Sequence, residues 1–340
     1  MALFFVTLVL GNNSKEQLMN SKRCPYCHCN TKVVKIGFTS SGRQRYKCKA
    51  CLKTWTNQSR PTRLADKIWH DFVWNNMPIR ALSEKYKKHS NTIRDILHNY
   101  ELEPLNLKDL SEEEKEQITV IAMDTTYFGR KHGVVTIVNA YNGNLLYFKE
   151  INGSETNTDY YNAFYSLQKA GIYPKACIID GRKGVGDLLV DEGVLVQMCH
   201  FHMWQIVKRY LTNNPVLAPN IELKHIMDNF LSQRFPVDKQ KFSAQIISWK
   251  HRNWRWLNEK HRNENGRLEW SHADTRRAYN AIISHAKWLF TYEKYPELNI
   301  PRTSNVIEGK FGNAKDKLRL HHGYTHKFKI KIFFSLLSGE

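Results

Sequence analysis

Five short β-rich runs, three in succession and two separated by helical pattern, limit the possible folds of this chain more than any other feature. The runs cover residues 118–124, 133–141, 144–151, 176–180 and 194–198, and a helical pattern covers residues 159–170. Asn142-Gly143 joins the second run to the third, and Asn-Gly between apolar runs is the strongest short signal of a hairpin. Three meandering strands followed by strand–helix alternation predict an α/β domain with a mixed five-stranded sheet flanked by helices.

Two of these runs end in an aspartate. Both faces of the run 118–124 are apolar, as in a central strand of a covered sheet, and the run ends at Asp124. The run that starts at Ala176 ends in the same way at Asp180. Carboxylates at neighbouring strand ends lie in the crevice where open sheets place their sites, and shared divalent cations relieve their repulsion. Each aspartate alone is more simply a cap or turn residue, so it is the pair that favours a two-metal phosphoryl-transfer site.

A third carboxylate is expected on a helix after the sheet. Asn305 can cap a helix whose apolar face contains Ile307, Phe311, Ala314 and Leu318. On another face of this helix, Glu308 is followed by Lys315 and Arg319, which suits a metal-facing acid with two cations beside a DNA backbone. The alternative is a capping box, in which Glu308 only reaches back to the amide of Asn305.

Four of the seven cysteines form two C-x2-C pairs, Cys24/Cys27 and Cys48/Cys51, with 20 residues between the pairs. This spacing predicts a zinc ribbon over residues 22–56 with one structural Zn²⁺ on four thiolates. Cys29 and His28 are spare ligands, and four free cysteines are the alternative. Three cations around the second pair, Arg45, Lys47 and Lys49, are predicted to contact phosphates.

The charge of the chain favours a polyanionic partner. Lys and Arg number 51 against 32 Asp and Glu, for a net charge of +19, and residues 21–100 contain 17 of the cations against four acids. Such an excess favours nucleic acid, because neutralised phosphates release condensed counterions. No apolar run reaches the roughly 18 residues of a membrane span.

Residues 57–100 have the spacing of a helix-turn-helix. Predicted helices 79–87 and 92–100 flank His89-Ser90-Asn91, where Ser90 or Asn91 can cap the second helix. Ile93, Ile96 and Leu97 would face the first helix, which leaves Thr92, Arg94 and His98 for base edges in the major groove. An ordinary αα-hairpin is the alternative.

The order of these motifs resembles the Mutator-like superfamily of DDE transposases, in particular bacterial insertion-sequence transposases with an N-terminal zinc-binding module. The resemblance runs from about Ser21 onward through Asp124, Asp180-Gly-Arg-Lys-Gly, Cys199-His-Phe-His202 and Thr303-Ser-Asn-Val-Ile-Glu308. It implies an RNase H-like catalytic fold with a helical insertion. It also implies that Asp124, Asp180 and Glu308 bind two Mg²⁺ (or Mn²⁺), and that Cys199 and His202 form the family's C-x-x-H signature. We interpret Cys199 and His202 as supporting residues, and His200 offers a second imidazole beside them.

The resemblance also implies an activity and partners. The chain would bind terminal inverted repeats and target DNA, hydrolyse phosphodiesters and transfer strands, as a homo-oligomer in the bacterial cytoplasm at the nucleoid. The alternatives are a catalytically silent DNA-binding regulator and a structure-specific nuclease. Enzymes of this kind without an insertion have their Glu closer to the second Asp, which makes Glu222 the alternative third acid. Choosing Glu222 would leave the amphipathic segment 305–318 without a role.

The predicted organisation has seven parts. These are an extension (1–21, unstructured or upstream of a start at Met19), the zinc ribbon (22–56), the helix-turn-helix region (57–100), an acidic linker (101–117), the first part of the core (118–212), a helical insertion (213–300), and the final catalytic helix with the C-terminus (301–340).

Overall fold

A computed structural model describes residues 24, 26–27, 29, 32–39, 44–56, 64–129, 131–232, 238–320 and 323–339. The predicted extension and His28 lie outside these residues. The chain divides into two compact units, Met1–Lys67 and Ile68–Glu340, which we call the N-terminal unit and the large unit.

The N-terminal unit contains a three-stranded antiparallel sheet of order β1-β2-β3. Its strands are β1 (Val33–Phe38), β2 (Gln44–Cys48) and β3 (Thr54–Thr56). Tyr46 on β2 stacks on Trp55 of β3 at 5.9 Å between ring centroids, and Cys24 and Cys48 are fully buried. Among the described residues of these strands, Tyr46 and Cys48 are buried, so their apolar interior is small.

The large unit is built on the predicted mixed five-stranded sheet, which the structure confirms. Its strands are β4 (Val120–Phe128), β5 (His132–Asn139), β6 (Leu145–Asn152), β7 (Ala176–Ile179) and β8 (Leu195–Met198). Their order is β6-β5-β4-β7-β8. The β4–β5 and β5–β6 pairs are antiparallel, whereas β4–β7 and β7–β8 are parallel. The Asn-Gly turn joins β5 to β6, and Gly143 has φ +73°, the left-handed conformation that glycine adopts without strain.

Asp124 does not end its strand, contrary to the prediction. Strand β4 continues to Phe128, because residues 125–128 pair with the start of β5 as far as Phe128↔His132. Pairing with β7 on the other side stops at Ala122↔Ile178. Asp124 is thus in mid-strand towards β5 but beyond the last pair towards β7.

Thirteen α-helices and one further hairpin complete the described residues. The helices are α1 (Leu64–Val73), α2 (Ile79–Tyr86), α3 (Ser90–Asn99), α4 (Glu112–Glu116), α5 (Asn157–Lys169), α6 (Lys183–Asp191), α7 (His200–Leu211), α8 (Ala218–Leu231), α9 (Lys239–Leu257), α10 (Ala273–Leu289), α11 (Thr291–Lys294), α12 (Asn305–Leu320) and α13 (His326–Ser338). Leu107–Asp109 and Pro296–Leu298 are short 3-10 turns. The hairpin consists of β9 (Lys260–Arg262) and β10 (Leu268–Trp270).

The sheet separates two apolar cores, and alternation along β4 assigns its residues to them. Ile121 and Met123 face the core that includes α5 to α10, whereas Val120 and Ala122 face the core formed with α1 to α3, α12 and α13. The parity of position 124 places Asp124 on the same side as Val120 and Ala122, towards α12.

Three local expectations are corrected. The segment 213–300, predicted without strands, contains the β9–β10 hairpin, whose three-residue strands are fully exposed and have no burial alternation. Helix α3 begins at Ser90 and is capped by the His89 ring, which accepts from the Asn91 amide at 3.3 Å. The acidic segment 101–117, expected to be a solvated linker or an exposed helix, contains the exposed helix α4, but Leu107 and Leu110 pack against the core.

No helix in the described part of the chain has both the length and the apolar character needed to cross a membrane.

Candidate functional site

The register of the parallel pair β4–β7 brings two aspartates together. The last paired residues are Ala122 and Ile178, and Asp124 and Asp180 each follow two residues later. Burial is the largest cause of the raised pKa of Asp124, and the charge of the nearby Asp180 raises that pKa further. The two carboxylates thus lie side by side where β4 and β7 stop pairing.

A glycine turn holds Asp180. Gly181 has φ +100°, and a Cβ at this position would collide with the side chain of Met198 on β8. The Gly181 carbonyl accepts from the His285 ring at 2.8 Å, and the Arg182 amide donates to Asp180 Oδ1 at 3.1 Å. The turn therefore needs glycine, and it fixes the carboxylate directly after β7.

Glu308, on α12, lies beside Cys199 and His202 at the start of α7. Its Oε1 accepts from the Ser304 hydroxyl at 2.7 Å, lies 3.7 Å from His202 Nδ1 and 3.9 Å from Cys199 Sγ. The Ser304 hydroxyl also contacts Cys199 Sγ at 3.2 Å. Glu308 is thus anchored at the start of its own helix, yet it faces the C-x-x-H segment rather than serving only as a cap.

Cys199 and His202 occupy the first turn of α7, directly after β8. Burial lowers the pKa of His202, but Cys199, Asp124 and Glu308 together outweigh it and raise the pKa to about 9. His202 Nδ1 is buried and has no hydrogen-bond partner among the described residues. The His202 imidazolium is therefore a cation that this chain places beside Asp124 and Glu308.

His200, the other imidazole of the segment, lies elsewhere. Its Nε2 contacts the Leu289 carbonyl at 2.7 Å, and its ring packs 4.0 Å from that of Phe230. Burial lowers the pKa of His200 to about 4, so the ring is neutral at physiological pH. His200 is a core residue, and the ambiguity between it and His202 is resolved by position.

The charges of His202, Asp180 and Glu308 all change the pKa of Asp124. Burial raises its pKa most; His202 lowers it, Asp180 and Glu308 raise it, and the result is about 7 against an ordinary 3.8. Three half-buried carboxylates beside one imidazolium have a net negative charge when all three are ionised. Oxygen ligands with excess negative charge are the set that hard divalent cations bind.

Glu222, the alternative third acid, is not part of this cluster. It lies on α8 and forms an ion pair with Arg252 of α9. Its side chain is 40% exposed. The structure therefore brings Glu308, and not Glu222, close enough to Asp124 for its charge to raise the pKa of that residue.

The residues predicted to contact DNA occupy several environments. Thr92, Arg94 and His98 are exposed on α3, where Arg94 donates to Asn91 at 2.8 Å and the His98 ring lies 4.6 Å from Phe328.

On α12, burial lowers the pKa of Lys315 while the Asp124 charge opposes this effect, so Lys315 borders the carboxylates. Arg319 is exposed and pairs with Asp316 at 2.8 Å. In the N-terminal unit Arg45 and Lys49 are exposed, and Lys47 is half-buried.

Sequence reasoning missed a polar network beside Asp180. Arg182 pairs with Glu155 at 2.8 Å, and Glu155 also accepts from Tyr160, whose hydroxyl contacts Thr125 at 2.9 Å. Thr125 directly follows Asp124, so the network connects the neighbours of both aspartates. The only signal in the sequence was the Gly-Arg that follows Asp180.

The four paired cysteines of the N-terminal unit come together. Cys24 Sγ lies 3.6 Å from Cys51 Sγ, and Cys27 Sγ lies 3.5 Å from Cys48 Sγ. All four sulfurs are within 4.8 Å of one another, and tetrahedral Zn–S bonds of about 2.3 Å require separations of about 3.8 Å. Burial raises the pKa of Cys24, but the Tyr26 and Cys27 amides outweigh it and the pKa falls to about 7. The donor set and its spacing fit zinc.

Comparison with known proteins adds little to this geometry. No family model matches the chain. Among solved structures, the chain is similar to one described as "Drosophila P element transposase strand transfer complex", with 12% sequence identity and a TM-score of 0.41 over 81% of this chain and 91% of that chain. A likeness this distant supports no functional conclusion.

Proposed function

We propose that this chain is a DDE-type DNA transposase, a metal-dependent polynucleotidyl transferase with an RNase H-like core. One observation supports it above all others. The register of β4 on β7 places Asp124 and Asp180 two residues beyond their last pair, and the charges of Asp180 and of Glu308 on α12 both raise the pKa of the half-buried Asp124. In this proposal Asp124, Asp180 and Glu308 bind the catalytic metals.

The donor set fits two Mg²⁺, or Mn²⁺, because these ions prefer carboxylate oxygens. Bound there, the ions would activate the attacking oxygen of water or of a 3′-OH and stabilise the leaving oxygen. His202 holds Glu308 in place through charge, and Ser304 holds it by a hydrogen bond. The Gly181 turn orients Asp180.

The DNA partner is proposed from the charge and from the helices. The net charge is +19, and Lys315 borders the carboxylates, where it would hold a phosphate of the scissile strand. Helices α2 and α3, joined by a short turn, would read the terminal inverted repeats through Thr92 and Arg94. We further propose one structural Zn²⁺ on the four cysteines of the N-terminal unit, and a homo-oligomer that holds two element ends and the target DNA in the bacterial cytoplasm.

The test is a cleavage and strand-transfer assay with the element's own ends, in Mg²⁺ and in EDTA. Asp124→Asn, Asp180→Asn and Glu308→Gln are expected to abolish both reactions while DNA binding survives. Glu222→Gln is the matched control, because it removes the same charge from a surface glutamate, and it is expected to keep activity.

The same assay separates the alternatives. Metal-dependent cleavage that ends without joining a 3′-OH end to a target plasmid would indicate a nuclease. Repeat-specific binding with no cleavage in any divalent metal would indicate a regulator. Activity that survives Glu308→Gln but not Glu222→Gln would overturn the assignment of the third carboxylate.

A further inference from the structure

A second group of metal-ligating side chains lies at the outer part of the sheet. It consists of His132, the first residue of β5, Glu150 on the edge strand β6, and His326, the first residue of α13. His132 pairs with Phe128, four residues beyond Asp124 along β4. Four residues of strand span roughly 13 Å, so this group is separate from the carboxylate cluster. We call it the His-Glu-His cluster.

The three side chains converge on a small volume. Glu150 Oε1 lies 2.9 Å from His326 Nε2 and 4.0 Å from His132 Nδ1, and the two imidazole rings stack at 3.8 Å between centroids. One potential ligand atom from each residue lies within 4.8 Å of the others. Asn152 Oδ1 contacts His132 Nδ1, the same nitrogen that lies 4.0 Å from Glu150, at 2.8 Å. With this hydrogen bond kept, Nε2 is the nitrogen of His132 that would bind an ion.

We propose that the His-Glu-His cluster binds a divalent transition-metal ion, Zn²⁺ first, with water in the remaining position. Two imidazoles and one carboxylate are the donor set of open zinc sites. Zinc bonds of about 2.0–2.1 Å place tetrahedral ligands about 3.4 Å apart, so closure from the present spacing needs only side-chain rotation. Asn152 provides the outer hydrogen bond that usually orients a metal-bound histidine.

The origin of the three residues argues for a built site. Strand pairing brings His132 and Glu150 near each other, because Asn152 lies opposite His132 and Glu150 opposite Val134 on β5 and β6. His326 joins them from α13, 176 residues further along the chain than Glu150. Their side chains are 44%, 36% and 25% exposed, so an ion reaches them from solvent without opening the core. A hydrogen bond to His326 alone would satisfy the Glu150 carboxylate. It would not require the His132 ring to stack on the His326 ring as well.

The bound ion would fasten α13 to the sheet. His326 also contacts Phe128 at the end of β4, and Phe128 packs on Phe333 of α13 at 4.8 Å. Helix α13 packs in turn against α12, which bears Glu308. The ion would therefore stabilise the C-terminal layer behind the carboxylate cluster without entering it.

The test is Zn²⁺ and Co²⁺ titration of the full-length chain with its cysteine site already loaded with zinc. Every protein would contain Glu308→Gln, so that the carboxylate cluster does not compete for the added ion. Calorimetry is expected to show one further equivalent bound in this parent protein, lost in His132→Ala and in His326→Ala. Co²⁺ bound there should show visible absorption without the near-ultraviolet band of thiolate ligation. Asn152→Ala should keep the stoichiometry and weaken binding by about 10–100-fold.

His251→Ala is the matched control, because His251 is an exposed histidine on α9, and it should bind like the parent. Added Zn²⁺ should raise the Tm of the parent and of the control by several degrees, and should leave the Tm of His326→Ala unchanged. Circular dichroism without added metal establishes that both histidine variants are folded. Unchanged stoichiometry and affinity in His132→Ala and His326→Ala would overturn the proposal, whatever the fate of the transposase assignment.

Discussion

Replacing Asp124 by asparagine should stabilise the metal-free protein at pH 8 and leave its stability nearly unchanged at pH 4. Asp124 has its pKa raised from 3.8 to about 7, chiefly by burial and by the charges of Asp180 and Glu308. A raised carboxyl pKa means that the folded state binds the proton more tightly than the unfolded state. Stability is therefore lost as pH rises from about 4 to 7, and the loss is complete above pH 7.

The magnitude follows from the shift. A rise from 3.8 to about 7 corresponds to about 4 kcal/mol, at roughly 1.4 kcal/mol for each tenfold change in proton affinity. The asparagine also loses the attraction that Asp124 exerts on the His202 imidazolium, and the buried amide needs partners of its own. We therefore expect a net gain of about 2 kcal/mol at pH 8, or about 4–8 °C in Tm.

The assay is thermal unfolding of wild type and Asp124→Asn in EDTA between pH 4 and pH 8, followed by unfolding at pH 8 with increasing Mg²⁺. Mg²⁺ should raise the Tm of the wild type and remove its deficit, because only the wild type has the full ligand set. Asp187→Asn is the matched control, since Asp187 is an exposed acid paired with Lys287 on the surface. An Asp124→Asn difference that is the same at pH 4 and pH 8, or a destabilisation at pH 8, would refute the reasoning.

Three further predictions concern other parts of the chain. Purified protein should contain one Zn²⁺, measurable by metal analysis, and Cys48→Ser with Cys51→Ser should lose it; retained zinc would exclude this ligand set. Arg94→Ala should weaken binding to the terminal repeat more than to random duplex, by about 1–3 kcal/mol if the side chain contacts a base; equal losses would assign Arg94 to the backbone. Gly181→Ala should lower Tm by more than Gly193→Ala in calorimetry, because both glycines have positive φ but only the Cβ at 181 meets another side chain; equal losses would exclude the Met198 collision.

Local pattern was enough to predict the sheet. Strands that are apolar on both faces, the Asn-Gly turn and the change to strand–helix alternation depend on the two-residue and 3.6-residue periods, which operate within a few residues of chain. The mixed five-stranded sheet follows from them and is confirmed. The amphipathic segment from Asn305 to Leu318 likewise forms the predicted helix, with its four apolar residues buried. The short β9–β10 hairpin was not predicted, because each of its strands has only three residues, all exposed, and shows no alternation of buried and exposed positions.

Local sequence pattern did not predict the features that depend on residues far apart in the chain. Strand β4 continues past Asp124 because β5 pairs with it, and that pairing is a contact between strands rather than a property of residues 118–124. Likewise, His202 and not His200 meets Glu308 because α12 packs beside the start of α7, more than 100 residues away in sequence. The same holds for the network of Glu155, Arg182 and Tyr160, and for the His-Glu-His cluster. Periodicity reflects neighbours in the chain. The register of β4 on β7 and the placement of α12 and α13 are instead set by the burial of apolar surface over the whole unit. A short window of sequence therefore does not determine that register or that placement.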